Sequence, residues 1–129
     1  MKKTIIFLSF IILFSCNKKQ ESESIQQNNS QTTTVTAVIT NNSSKNISEV
    51  YSTENGSEID WKSVKSKSKN LLGKNLNTNE STTFTFECNN EKGFTLGIFD
   101  GEKPTESGGM CCANYKATLS EDGFSGGCE

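Results

Sequence analysis

The 129-residue chain has no histidine and no arginine; all 13 of its basic residues are lysine. Without His, the usual general base near neutral pH is missing, and with it the Ser–His and Cys–His nucleophile pairs and most catalytic zinc sites. Without Arg there is no planar fork for bidentate recognition of phosphate or carboxylate. A formal net charge of −2 leaves no basic excess, so nucleic acid is not an expected partner. No apolar run reaches the roughly 20 residues that a helix needs to cross a bilayer. The longest, Ile5 to Phe14, is ten residues interrupted by Ser9. Nothing in these absences points to an enzyme, and neither a catalytic nor a metal-ligating set is expected.

What the N-terminus does contain is an address. Lys2 and Lys3 precede the Ile5–Phe14 run, which ends at Ser15 and Cys16. That is the order and length of a secretory signal peptide, removed on export. The tetrapeptide Leu13-Phe14-Ser15-Cys16 resembles the lipobox of bacterial lipoproteins, with Phe14 bulkier than the small residue usual at its position. The resemblance implies that residues 1–15 are cleaved, that the sulfur of Cys16 receives a diacylglyceryl group, and that its freed amine is acylated. No other cofactor is expected. Two or three acyl chains, at about 0.8 kcal/mol per buried methylene, hold a small domain to a bilayer without spanning it. The expected location is the bacterial cell envelope, and Asn17 after the Cys points to the outer membrane. After cleavage 11 Lys stand against 15 acids, a balance of −4, so the lipid alone draws the chain to the membrane.

Residues 16–34 read as a linker. Between Asn17 and Thr34 only Ile25 is apolar, too little to offset ordering, so the segment is expected to be disordered. As a flexible coil of about 18 residues it spans on the order of 25 Å.

From Val35 to Glu129 the pattern changes to short alternating runs. Val35, Ala37 and Ile39 share one face, and Ile47 to Tyr51 form a second run after the turn residues Asn41 to Ser44. Phe84 and Phe86 alternate with Thr83, Thr85 and Glu87. Phe94, Leu96 and Ile98 alternate with Thr95, Gly97 and Phe99, and Tyr115 to Leu119 supply another strand. Residues 35–129 are therefore expected to form a small antiparallel, immunoglobulin-like β-sandwich, an all-β domain. No window gives an amphipathic helix, and the alternation of Lys and Ser from Lys62 to Lys69 reads as a solvated loop.

Four cysteines remain once Cys16 is lipidated: Cys88, Cys111, Cys112 and Cys128. An even number outside the cytosol reads as a disulfide framework. Adjacent Cys111 and Cys112 are strained partners for each other. That leaves Cys88–Cys111 with Cys112–Cys128, or Cys88–Cys112 with Cys111–Cys128. A metal site is disfavoured by the spacings of 23, 1 and 16, and a redox dithiol by the lack of Cys-x-x-Cys.

Between Val38 and Gly101 the chain resembles a family of small exported bacterial β-sandwich domains with no assigned role. The matching pieces, in order, are Ile39-Thr40-Asn41-Asn42, Ile47-Ser48-Glu49-Val50-Tyr51-Ser52, Asp60-Trp61, Asn70-Leu71-Leu72-Gly73, Glu80-Ser81-Thr82 leading into Phe84-Thr85-Phe86, and Ile98-Phe99-Asp100-Gly101. Asn77 to Glu80 stand where the family has Pro-Gly, the Lys/Ser stretch after Trp61 is longer, and the cysteine-rich tail lies outside the match. Trp61 and Tyr51 are expected to cover one end of the sandwich, Leu71 and Leu72 to plug its core, and Gly73 to allow a sharp exit.

The acidic turns Asp100-Gly101-Glu102 and Glu121-Asp122-Gly123 lack the alternating oxygen ligands of a calcium loop and read as hairpin turns. Gly108-Gly109 and Gly126-Gly127 have no following helix or Lys-Ser/Thr pair, so they are not phosphate loops. The expected function is a lipid-anchored, non-catalytic module that binds a protein, a glycan or another envelope component. An inhibitor or immunity-type protein against a secreted hydrolase is the alternative. An enzyme using acids alone would require two carboxylates across one cleft.

Overall fold

Alternating burial decides which face of each strand turns inward. In the computed structural model, which describes residues 31–129, β1 (Thr32–Asn41) buries Val35, Ala37, Ile39 and Asn41 and turns Thr36, Val38 and Thr40 between them outward. The lipobox, Cys16 and the linker up to residue 30 lie outside the described residues. β1 begins at Thr32, three residues earlier than the 34/35 boundary read from composition. Thr32, Thr33 and Thr34 pair with Asn89, Cys88 and Glu87, so β-branched side chains with a partner strand form structure that a count of apolar residues misses.

Seven further strands follow: β2 (Ile47–Glu54), β3 (Leu71–Leu76), β4 (Ser81–Asn89), β5 (Phe94–Phe99), β6 (Pro104–Gly109), β7 (Asn114–Ser120) and β8 (Gly123–Cys128). One sheet runs β4-β1-β7-β8 and the other β3-β2-β5-β6. The result is the small all-β sandwich expected, built four on four, where an immunoglobulin constant-type domain has seven strands. All pairs are antiparallel except β1 with β7, which run parallel from Thr36 beside Asn114 to Asn41 beside Leu119.

The core between the sheets is built from Val35, Ala37, Ile39, Ile47, Val50, Leu76, Phe94, Leu96, Ile98, Tyr115, Ala117 and Leu119. Phe94, at the chain-entry end of the core, lies edge-on to both Phe86 and Tyr115 at centroid distances of 5.1 and 5.0 Å. Every residue of β5 is buried. Its second face is covered by a short helix, α1 (Trp61–Lys65), which stands where a solvated loop was expected. The Asp60 carboxylate accepts from the backbone N–H groups of Lys62 and Ser63 and caps the helix. Trp61 and Val64, three apart, turn their apolar sides onto Tyr51 and Phe99 and form a second small core with Ile59 and Leu71. Trp61 meets Phe99 edge-on at 5.8 Å, and the Lys65 ammonium lies 4.3 Å from the centre of the Phe99 ring.

Gly73 has a different role from the exit turn read from sequence. It lies within β3, and a Cβ there would collide with the ring of Phe84. Leu72 packs on the main core and Leu71 on the second one.

The two bridges join Cys88 to Cys111 and Cys112 to Cys128, with Cα separations of 5.7 and 6.0 Å. The first ties the end of β4 to the β6–β7 connection, and the second ties that connection to the end of β8. Both lie at the end of the sandwich where the chain enters β1, since the Asn90 N–H donates to the Gln31 carbonyl.

Candidate binding cleft

The two sheets do not close evenly along their sides. On one side β6 and β8 lie against each other, and the hydroxyls of Ser107 and Tyr115 are 2.8 Å apart. On the other side β3 and β4 touch where Gly73 meets Phe84 and then diverge toward the chain-entry end. The gap is an open cleft of about 670 Å³. Leu71, Leu72, Phe86, Phe94 and Cys88 supply its apolar lining.

Polar residues form the lips. Lys67, Lys69 and Asn70 come from the segment between α1 and β3. That segment is held down by the Asn70 side chain, which donates to the Val64 carbonyl at 3.1 Å. Thr85, Glu87 and Asn89 come from β4, and Glu54 from the end of β2. The Thr34 hydroxyl donates to Glu87 at 2.6 Å. Glu54 in turn pairs with Lys92 at 2.6 Å. That hydrogen bond holds the Glu54 carboxyl below the usual carboxylate range and raises the Lys92 ammonium. Lys67 and Lys69 form no ion pair among the described residues.

Glu54 and Glu87 both line the cleft. The cleft is mixed in character: half-buried Leu72 and Phe86 at its floor, two exposed ammonium groups on one lip, and a carboxylate on the other.

Of the four cysteines read as bridge formers, only Cys88 lines the cleft; Leu71 and Leu72, expected to plug the core, line it as well. The Cys88 sulfur is bonded, and so are those of Cys111, Cys112 and Cys128, so none is free to ligate a metal. Asp100, Glu102, Glu121 and Asp122 lie in hairpin turns at the opposite end, where the Glu121 carboxylate accepts from the Ser44 N–H. The lip lysines sat within the stretch read as a solvated loop. Asp60 followed by apolar residues three apart was the signal that this stretch contains a helix start and a return. Comparison with protein-family models, curated proteins and solved structures finds no match for the chain.

Proposed function

We propose that this chain is a non-catalytic binding protein, lipid-anchored through Cys16 in the bacterial cell envelope, whose sandwich takes its ligand in the β3–β4 cleft. The observation that carries the binding reading is the cleft itself: Leu72 and Phe86 are left half-buried beside Lys67 and Lys69, which are exposed and form no close ion pair among the described residues. Burying such apolar surface under a ligand is favourable by roughly 25 cal/mol per Å². The anchor reading rests on the lipobox resemblance. It accords with the chain entering β1 beside both bridges, so that a tether would leave the sandwich from its most tightly braced end.

Two measurements test the two halves. Cys16→Ser should move the protein from the membrane pellet to the soluble fraction; unchanged sedimentation refutes the anchor. For the cleft, photo-crosslinkers are placed at Leu72 and at Thr118 on the outer face of the other sheet. Adducts formed in intact envelopes from position 72 and not from 118 support the reading, and equal labelling refutes it. A secreted hydrolase recovered from position 72 would specify an inhibitor.

A further inference from the structure

The four outer strands of the sandwich are not equally protected against pairing with another chain. β3 contains Asn75 in the left-handed region, at φ 59°, and its register with β2 shifts between Val50 and Tyr51. β6 begins with Pro104, and β8 is six residues with three glycines, ending at a bridge. Such breaks are how edge strands avoid unwanted partners. β4 has none of them. It is nine residues long, without Pro, Gly, Lys or bulge, and nine consecutive residues of β1, Thr32 to Thr40, match it in register.

The ladder shows which of its backbone groups are free. The Asn41 N–H donates to the Glu80 carbonyl, and the Asn90 N–H to the Gln31 carbonyl. Hydrogen-bonded pairs alternate along an antiparallel ladder. Thr82, Phe84, Phe86 and Cys88 therefore direct their backbone groups at β1, and Thr83, Thr85 and Glu87 direct theirs away. These outward N–H and C=O groups have no backbone partner among the described residues. Along Thr85 and Glu87 they border the cleft.

We propose that β4 is completed by an extended segment of a partner polypeptide, which adds as a fifth strand to the β4-β1-β7-β8 sheet. This rests on the cleft being the binding site and names its occupant. Every second side chain of an added strand points the same way, so one set would enter the trough between Leu72 and Phe86 while the other faces solvent. The ions set the remaining preference. Glu54 is paired with Lys92 and also feels Lys69 at longer range, which leaves Lys67 and the remainder of the Lys69 charge against Glu87. The partner strand thus alternates apolar residues with polar ones and carries a carboxylate opposite the lysine lip. Main-chain bonds supply affinity and the trough supplies selectivity, as in other strand-addition complexes.

The test uses the full chain and a set of soluble peptides matching the nine residues of β4 in length, in which valine alternates with threonine or glutamate. Binding should slow amide exchange at Thr83, Thr85 and Glu87, and peptides N-methylated at alternate residues should not bind. Thr85→Pro removes only an outward N–H, a change that edge strands tolerate, and should weaken binding about tenfold with circular dichroism unchanged. Lys67→Gln with Lys69→Gln should weaken glutamate-containing peptides and spare their glutamine analogues. Absence of binding, or equal binding by Thr85→Pro, overturns the proposal. So does protection of the same amides without peptide, whether it depends on protein concentration, as for a second copy, or is lost on deleting residues 17–30. Shifts at Leu72 and Phe86 that N-methylated peptides also produce, without amide protection, would overturn strand addition and leave the cleft reading standing.

Discussion

Gly97, in the middle of β5, lies directly beneath the indole of Trp61, and a Cβ at that position would overlap the far edge of the ring. The helix that carries Trp61 can seat on this sheet only because the strand is bare at that point. Gly97→Ala should displace Trp61 from Phe99 and destabilise the domain by about 1–3 kcal/mol, the usual cost of overpacking. Trp61 is the sole tryptophan, so a red shift of its fluorescence should accompany the lower denaturation midpoint. An unchanged emission maximum would contradict the contact.

Asn41 is fully buried and satisfied. Its Nδ2 donates to the carbonyls of Lys45 and Leu76, and its Oδ1 accepts from the N–H and hydroxyl of Ser43. Asn41→Leu leaves those groups without partners where water is excluded, and should cost about 2–3 kcal/mol in urea unfolding. Asn42→Leu, on the exposed neighbour, should change stability little.

The bridges close loops of 23 and 16 residues, for which the chain-entropy model gives about 3 kcal/mol each. Their accessibility differs, because Cys88 is buried and Cys128 is exposed. With limiting dithiol, Cys112–Cys128 should open well before Cys88–Cys111, as read by alkylation and mass mapping. Simultaneous opening would show that the first bridge is reached by global unfolding.

Glu49 pairs with Lys65 at 2.7 Å and Lys74 at 3.5 Å. The Lys65 hydrogen bond is the main cause holding its carboxyl below the ordinary value of 4.5. A depressed folded pKa gives stability that is present above the unfolded value and lost as pH falls through the folded one. The melting temperature of the wild type should therefore fall more steeply than that of Glu49→Gln between about pH 5 and pH 3. The difference will be small, since the lysines are solvated. Parallel curves would remove Glu49 from the acid limb.

How far the sequence discloses this molecule depends on what each strand packs against. Val35, Ala37 and Ile39 alternate with Thr34, Thr36, Val38 and Thr40 because β1 has one face on the core and one in water, so period two is visible although Val38 blurs it. β5 is covered on both sides; its Thr95 and Gly97 look like an outward face but are buried. β6 and β8 give no pattern at all, since glycine and serine fill their positions beside Phe94, Tyr115 and Ala117, where Gly108 and Gly126 leave no space for a Cβ. The cleft was hidden for another reason. Its apolar lining comes from β3, β4 and β5 and its charged lips from the segment before β3 and from the ends of β2 and β4, and only the divergence of two sheets assembles them.

The parallel pairing of β1 with β7 dictates an order of events. β1 is an inner strand, yet one of its neighbours is made more than 70 residues later in the chain, counting from Asn41 to Asn114. The hairpins β5–β6 and β7–β8 can zip up locally, whereas the first sheet must wait for the last eighth of the polypeptide to arrive. Folding should accordingly be slow, in the millisecond-to-second range of chains dominated by distant contacts. A chain stalled before Asn114 would hold its most apolar threonine-flanked strand with one side bare.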